Sequence, residues 1–297
     1  MTGIAIFGVT GRMGQTLVRA LREAASAGVP PAVGGTGAGV AGVVGAAGAA
    51  IGTGERLSLV GALASPDSRR LGQDAAAEGL PTGVTVSADP AAALSQAAVA
   101  IDFSLPQCVT ANAAACAEAR VPLLVGTTGF DAATRAALEA AAKTIPILIA
   151  PNTSVGVNVV RQLVKLATEA LGRGYDVEIG EAHHRMKRDA PSGTALALGE
   201  AVAQARGVEL KDVAVFDRHG ANEPRRDGEI GFSVVRAGDI VGEHTVTFAV
   251  AGERVEITHR ASDRITFARG ALRAAEWLIG RPPGLYSMND VLGLDKA

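Results

Sequence analysis

Two adjacent imidazoles and a nearby ammonium group are the most chemically suggestive side chains of the sequence. His183 and His184 are followed by Lys187, and the chain then runs into Ser192-Gly193-Thr194. A histidine with an ordinary pKa of about 6.5 gives or takes a proton at neutral pH, whereas a lysine stays cationic unless it is buried. The cluster therefore predicts acid–base chemistry beside a site for an anion.

The hydroxyl and glycine residues after the histidines are typical of a helix N-terminus that binds an anion. Pro191 would rigidify the entry and Ser192 could cap the helix. The backbone amides of Gly193 and Thr194 would then be free to hold a carboxylate. An ordinary helix cap without a ligand explains the same residues, so both interpretations stay open.

Metal binding is a rival interpretation of the paired histidines. Adjacent side chains on an extended chain point to opposite sides, and the residues that follow are Arg185, Met186 and Lys187. These are poor ligands for zinc. We therefore predict no metal.

A second motif, Gly8-x-x-Gly11-x-x-Gly14, lies near the N-terminus and follows a short apolar run. Glycine amides at the start of a helix can hydrogen-bond a pyrophosphate, because the helix end has unsatisfied donors and a positive dipole. The spacing differs from the commoner G-x-G-x-x-G, and a tight turn without a ligand is the alternative. Its position after a first strand favours a nucleotide site.

The elements around this motif predict a parallel, doubly wound sheet of the Rossmann-like α/β class. A strand at 3–8 and a helix through Leu17, Val18 and Leu21 are followed by repeated strand and helix patterns. We expect strands at 57–63, 98–103, 122–125 and 145–149 and helices at 111–119 and 132–142. Loops at Phe103-Ser104 and 126–130 follow strand ends, where ligands bind in such sheets. Turns in which threonine caps the next helix are the alternative.

The pattern changes after Asn152 and predicts a second domain of the α+β class with a mixed or antiparallel sheet. A helix is expected at 155–171, strands at 176–182, 231–236, 242–250 and 254–259, and a last helix at 266–279 that returns to the first domain. We therefore place a dinucleotide-binding domain at 1–153 plus 264–297 and a second domain at 154–263.

The uncharged segment 28–54 is rich in glycine and alanine and shows no steady period. Glycine costs about 1 kcal/mol relative to alanine within a helix, which favours a flexible surface insertion over a short apolar helix.

The residue that would read the cofactor's ribose is Ala64, where an acidic residue usually binds the 2′-hydroxyl. Ser65, Arg69 and Arg70 follow it, which favours a 2′-phosphate and hence NADP(H). Solvated surface arginines are the alternative.

Composition limits the choice of partners. The chain has 28 basic and 30 acidic residues, a formal net charge of -2. No broad field would attract nucleic acid or anionic lipid, so we expect a small-molecule substrate. Its two cysteines, Cys108 and Cys116, form no metal-binding or disulfide framework. We see neither a leader segment nor an apolar stretch of about 18 residues, and therefore expect a soluble cytoplasmic protein.

Several motifs together resemble the 4-hydroxy-tetrahydrodipicolinate reductase family, the dihydrodipicolinate reductases of diaminopimelate and lysine biosynthesis. The resemblance covers nearly the whole chain, and its most specific part is the histidine and lysine block with Ser-Gly-Thr. The matching segments are the glycine loop, Gly126-Thr-Thr-Gly-Phe130, Ser154-Val-Gly-Val-Asn158, Glu181 to Ala195, Arg236 to His244 and Glu256-Ile-Thr-His259.

The resemblance implies an NAD(P)H-dependent enzyme that converts 4-hydroxy-tetrahydrodipicolinate to tetrahydrodipicolinate by hydride transfer with loss of water. It implies that His183 is the proton donor or acceptor, Lys187 a second proton donor, and His184 a substrate contact. Gly193 and Thr194 would bind a substrate carboxylate. The cofactor, NADPH or NADH, would contact Gly8, Val9, Thr10, Gly11, Arg12, Met13, Gly126, Thr127, Thr128, Ala150, Pro151, Asn152 and Thr153.

The family is also typically homotetrameric through the sheet of the second domain, which makes 154–263 the substrate-binding and oligomerisation domain. The sequence departs from the family pattern in two places. Segment 28–54 lengthens the link between first helix and second strand beyond the usual form, and Ala64 leaves the cofactor preference open.

Two other classes are compatible with parts of the sequence. A nucleotide-sensing regulatory module would keep the glycine loop but would not need the histidine and lysine cluster. An aldehyde dehydrogenase acting through a thioester would need Cys108 or Cys116 as a nucleophile.

Overall fold

The computed structural model describes residues 1–26 and 57–294, so segment 28–54 lies outside the described residues. The strands are β1 (Thr2–Phe7), β2 (Leu57–Leu63), β3 (Val86–Ser87), β4 (Val99–Asp102), β5 (Leu123–Val125), β6 (Pro146–Ile149), β7 (Asp176–His183), β8 (Ala214–Val215), β9 (Ile230–Arg236), β10 (Gly242–Val250), β11 (Glu253–Ala261) and β12 (Gly284–Tyr286). The helices are α1 (Arg12–Ser26), α2 (Pro90–Leu94), α3 (Val109–Ala119), α4 (Ala132–Ala141), α5 (Val155–Leu171), α6 (Gly193–Arg206), α7 (Leu210–Val213), α8 (Ile265–Leu278) and α9 (Met288–Leu292).

The first sheet has seven strands in the order β12-β6-β5-β4-β1-β2-β3, and each neighbouring pair is parallel. Its central strands are apolar along their length, as expected when helices cover both faces. Phe7 pairs with Asp102 and Asp102 with Val125, so β1, β4 and β5 end level with one another. The loops that follow these strands therefore share one edge of the sheet.

The second sheet has five strands in the order β11-β10-β7-β9-β8. The pairs β7–β10 and β10–β11 are antiparallel, whereas β7–β9 and β8–β9 are parallel. Val164 of α5 and Val202 of α6 join Ile179 and Phe248 of the sheet in one buried core. The predicted class, a parallel Rossmann-like sheet with a second α+β domain and a mixed sheet, is confirmed.

The second sheet positions polar residues through the alternation of β7. Along this strand every second side chain is buried, and the series ends with Glu181 and His183. Alternation therefore turns both polar side chains toward the face that carries the apolar core.

The chain divides into two compact units. One comprises Met1–Pro151 with Ala268–Val291, and the other comprises Asn152–Phe267 with the described residues from Leu292. The chain thus changes from one unit to the other after Pro151, after Phe267 and after Val291. Within the described residues, no helix combines the length and apolar composition needed to cross a bilayer.

Candidate active site

The glycine loop of the first unit connects β1 to α1 in a tightly determined turn. Gly8 has φ +74, and a Cβ built on Gly14 would lie 2.4 Å from the Gly8 carbonyl oxygen. The amides of Gly8 and Val9 both donate to the carbonyl of Leu63, at 2.9 and 3.0 Å. Gly8 adopts a positive φ, and Gly14 lies too close to the backbone of the turn to carry a side chain. These two constraints explain why both ends of the motif are glycine.

The same contacts limit which amides of the loop remain for a phosphate. Those of Gly8 and Val9 are already bonded, and the Gly11 amide donates to the Gly8 carbonyl at 3.0 Å. Thr10 in the turn and Arg12 and Met13 at the beginning of α1 supply the remaining donors, as the first amides of a helix have no intrahelical partner. The loop therefore fits a dinucleotide phosphate.

A buried carboxylate that the sequence analysis missed connects two of the predicted cofactor loops. Asp102 ends β4 and is fully buried. Its carboxylate accepts from the Ser104 amide at 2.7 Å, from Asn112 Nδ2 at 2.9 Å and from the Thr127 hydroxyl at 3.2 Å. The Thr127 hydroxyl is thus committed within the protein, while Thr128 is exposed.

At the predicted ribose position the two arginines differ. The Arg70 guanidinium donates through Nη2 to the carbonyls of Asp74 and Ala76, at 2.6 and 3.0 Å. Arg69 and Ser65 are exposed. Arg70 therefore stabilises the loop that runs from Arg70 to Ala76, and Arg69 is the better candidate for a phosphate contact.

The segment from Ala150 to Thr153 carries the last group of predicted cofactor residues. Ala150 is buried, and Pro151 is exposed. The Thr153 hydroxyl donates to the Phe267 carbonyl at 2.7 Å and is also buried. The side chain of Asn152 donates to the Thr194 hydroxyl at 3.0 Å. The side chains of Thr153 and Asn152 are therefore bonded within the second unit.

The reaction cluster is built around His183 at the end of β7. Its Nδ1 lies 2.6 Å from Glu181 Oε2, and the imidazole side chain is 11% exposed. A carboxylate accepts a hydrogen, so Nδ1 carries the proton and Nε2 is left to exchange one. Gly242 lies beside this nitrogen, since a Cβ built on it would be 3.1 Å from Nε2.

Glu181 is the centre of the network, although the sequence analysis assigned no role to it or to Arg236. The guanidinium of Arg236 donates to both carboxylate oxygens of Glu181, each at 2.8 Å. The Ser192 amide donates to Oε1 at 3.0 Å. Burial is the strongest influence and opposes ionisation, but hydrogen bonds from Arg236, His183 and Ser192 outweigh it and lower the pKa of Glu181.

A second histidine, His244 of β10, lies next to His183. The two ring centroids are 5.1 Å apart, and the Ser192 hydroxyl lies 2.9 Å from His244 Nε2. Burial lowers the pKa of His183, partly against the nearby Glu181 carboxylate. Burial and the neighbouring His183 also lower the pKa of His244 to about 4. Both imidazoles are therefore neutral at pH 7.

Lys187 lies on the loop after β7 and is paired with a carboxylate. Its Nζ is 2.9 and 2.8 Å from the two oxygens of Asp189. Burial would raise the pKa of Asp189, but the hydrogen bond from Lys187 lowers it overall. His184 is half-buried, and its carbonyl accepts from the Lys187 amide at 3.0 Å. The ammonium is thus held in a turn close to the end of β7.

The predicted anion site is the first turn of α6. The Ser192 hydroxyl caps the helix by accepting from the Ala195 amide at 3.1 Å. Gly193 and Thr194 are the first two helical residues, whose amides have no acceptor inside a helix. Gly193 is exposed, so a ligand could reach this end of the helix.

A metal site and a cysteine nucleophile have less support. In the described part of the chain, no group of three or more histidine, cysteine or acidic side chains could hold a metal. Cys116 is fully buried, and burial raises its pKa, which makes it a poor nucleophile.

A parallel sheet with a glycine turn before its first helix, and a second sheet with a hydrogen-bonded histidine and glutamate beside a helix N-terminus, are typical of an NAD(P)H-dependent oxidoreductase. Comparisons with known proteins identify which one. Residues 36–153 match the family model "Dihydrodipicolinate reductase, N-terminus", and residues 156–292 match the model of its C-terminus. The chain belongs to the 4-hydroxy-tetrahydrodipicolinate reductase family, as predicted.

Relatives in that family match almost the whole chain. The 4-hydroxy-tetrahydrodipicolinate reductase of Thiobacillus denitrificans is 54% identical over 292 residues, covering 98% of each chain. That of Laribacter hongkongensis is 55% identical over 237 residues, covering 80% of this chain and 88% of the relative. The Thiobacillus protein therefore has nearly the same length as this chain. Segment 28–54 does not make this chain longer than every other member of the family.

A solved structure shows the same fold. The dipicolinate-bound dihydrodipicolinate reductase from Paenisporosarcina sp. TG-14 has a TM-score of 0.69 and 21% sequence identity, covering 97% of each chain.

Proposed function

We propose that this chain reduces 4-hydroxy-tetrahydrodipicolinate to tetrahydrodipicolinate with NAD(P)H and loss of water, in diaminopimelate and lysine biosynthesis. The observation that carries the proposal is the hydrogen-bonded chain Arg236–Glu181–His183, which is linked through Ser192 to the free amides of α6. A buried base and an anion-binding helix start in one network suit a reaction that moves protons on a carboxylate substrate.

Substrate binding uses the helix start and the basic loop. One carboxylate lies on the amides of Gly193 and Thr194, and the second lies near Lys187 or His184. Lys187 must exchange its contact with Asp189 for the substrate. This exchange is feasible because the Asp189 side chain is 61% exposed and can be solvated when the contact breaks.

Proton transfer then divides between two residues. Lys187 gives a proton to the departing 4-hydroxyl, which leaves as water, while Nε2 of His183 takes a proton from the ring carbon between C4 and the imine carbon, so that a conjugated imine forms. Bound NAD(P)H would supply a hydride to C4 of this imine. Nε2 of His183 then returns its proton to the carbon next to C4, and Glu181 stabilises the imidazole while it is protonated.

The two units divide this work. The domain at 1–153 plus 264–297 binds the dinucleotide through the glycine loop, the 126–128 loop and the 150–153 segment. The domain at 154–263 binds the substrate and carries the contacts between subunits.

A coupled assay with the product of the upstream synthase tests the proposal, with NADH and NADPH oxidation recorded separately. We expect turnover with at least one of the two cofactors. In His183→Ala, kcat should fall about 100-fold or more while cofactor affinity stays near normal. Unchanged turnover in this variant would remove His183 from the mechanism.

The cofactor preference is proposed to be for NADPH, through Arg69. Arg69→Ala should raise the KM for NADPH about 10-fold and leave that for NADH nearly unchanged, because only NADPH has the 2′-phosphate. Arg69→Lys is the matched control and should retain part of the preference. Equal effects on both cofactors would show that the arginine contacts a shared part of the dinucleotide.

A homotetramer built through the second sheet is also proposed, in the cytoplasm. Helices α5 and α6 pack on one face, whereas the centre of the other face, on β7 and β10, carries small or uncharged residues that are half-buried. They include Gly180, Ala182, Thr245, Thr247 and Ala249. Light scattering should give four times the chain mass of 29.9 kDa. A monomer at micromolar concentration would contradict the assembly.

A further inference from the structure

The side-chain amide of Asn152 has a fixed orientation because of its two hydrogen bonds. Its Oδ1 accepts from the Ser154 amide at 2.9 Å, and its Nδ2 donates to the Thr194 hydroxyl oxygen at 3.0 Å. A backbone N–H can only donate, so the oxygen must face Ser154 and the nitrogen must face Thr194.

This orientation determines what the Thr194 hydroxyl can do. Its oxygen accepts from Asn152, so its own hydrogen is available for another acceptor. Thr194 is the second residue of α6, and its amide and that of Gly193 are unpaired within the helix. The first turn of α6 thus offers two backbone N–H groups and one O–H group to an anion.

The position of Asn152 is itself held from the start of α5. Asn158 is buried, and its Nδ2 donates to the Asn152 carbonyl at 2.9 Å and to the Ser154 carbonyl at 2.8 Å. Ser154 caps α5 by accepting from the Val157 amide at 3.3 Å. Asn152 therefore connects the N-terminal ends of α5 and α6, both of which carry a positive partial charge.

We propose that the side chain of Asn152 is a positioning group for the substrate carboxylate, acting through the Thr194 hydroxyl, in addition to the backbone contact with the cofactor that the family resemblance implies. The inference rests on the proposed role of Thr194. It assigns Asn152 to the substrate side of the reaction, although it lies in a segment predicted to contact the dinucleotide.

Binding measurements that need no turnover test this role. Dipicolinate serves as a dicarboxylate probe in calorimetry on NADPH-saturated protein, and NADPH affinity is measured separately by cofactor fluorescence. Asn152→Asp should weaken dipicolinate binding more than 10-fold, since a carboxylate takes the Thr194 hydrogen and adds a negative charge. Asn152→Ala should weaken it less, and both variants should bind NADPH within about 2-fold of the original protein.

Three controls make the interpretation specific. Asn222→Asp adds the same charge at an exposed position of the second unit and should change nothing. Thr194→Val should weaken dipicolinate and make a further Asn152→Ala change nearly silent, whereas Thr194→Ser should retain binding. Circular dichroism checks that each variant is folded.

The outcomes separate this inference from the proposed function. Weaker NADPH binding with normal dipicolinate binding, or additive effects of Asn152→Ala and Thr194→Val, would overturn the positioning role alone. If the unaltered protein does not bind dipicolinate at all, the carboxylate site and the inference fail together.

Discussion

Each unit contains a fully buried carboxylate, and the two differ in what surrounds them. Among the described residues, the donors to Asp102 in the first unit are neutral, namely the Ser104 amide, Asn112 and Thr127. Glu181 in the second unit is bonded by the Arg236 guanidinium and by His183. Asp102 therefore connects loops, whereas the negative charge of Glu181 lies beside the titratable ring of His183 and stabilises its protonated form. Equal burial does not mean equal function.

The largest expected effect separates the two carboxylates directly. Glu181→Gln should lower kcat about 100-fold, because His183 loses the group that stabilises its protonated form. It should also lower the free energy of unfolding by about 3 kcal/mol, because the partly buried Arg236 guanidinium loses its counter-charge. Kinetics and chemical denaturation measure these effects.

The matched control is Glu178→Gln on the same strand. Glu178 pairs with Arg218 and Arg225, but its side chain is 45% exposed. We expect a loss below about 1 kcal/mol and normal kcat. If both variants behave alike, the buried network has no special role.

Acidification should destabilise the second unit more than the first, because all five histidines lie between 183 and 259, in the second unit. The pKa of His244 falls from 6.5 in the unfolded chain to about 4 in the folded protein. Between these values the unfolded state binds more protons, so stability is full above pH 6.5 and falls as the pH is lowered toward 4. The loss from His244 alone should reach about 3 kcal/mol.

Hydrogen exchange at pH 7, 6 and 5 measures this difference unit by unit. The carboxylates with lowered pKa, such as Glu181, lose their contribution only at lower pH. Peptides of the second unit should lose protection, and His244→Gln should flatten that dependence. An equal loss in the first unit would mean that the units unfold as one.

Asp102→Asn should have a smaller effect of a different kind. An amide offers one acceptor oxygen, so one donor among Ser104, Asn112 and Thr127 loses its partner, at a cost of about 1–3 kcal/mol. The KM for the cofactor should rise more than kcat falls, since two predicted cofactor loops lose their connection. Asp131→Asn, at the exposed cap of α4, is the control and should be nearly neutral. A fall in kcat with normal cofactor KM would contradict the loop role of Asp102.

Sequence patterns predicted the long elements well because periodicity needs length. The limits of β2, α5 and β10 agree with those expected, whereas β3 and β12 were missed. These two strands have two and three residues and pair only at the edges of the sheet, so they show no pattern of their own.

The candidate site was predicted only in part for a related reason. His183, Lys187 and the start of α6 are close in sequence and were found together. Glu181 could have been found from strand alternation, since it lies two positions before His183 on the same face. Arg236 and His244 could not, because they reach the site through pairing of His183 with Arg236 and of Glu181 with His244 across strands.

The turn after β1 has a further thermodynamic consequence. The Leu63 carbonyl already fixes the amides of Gly8 and Val9, so the turn has its final shape without help from a ligand. A phosphate group that enters it imposes little loss of backbone entropy, and almost all of the interaction energy contributes to affinity. We expect dinucleotide association at this turn to be rapid, with no slow ordering phase in stopped-flow traces.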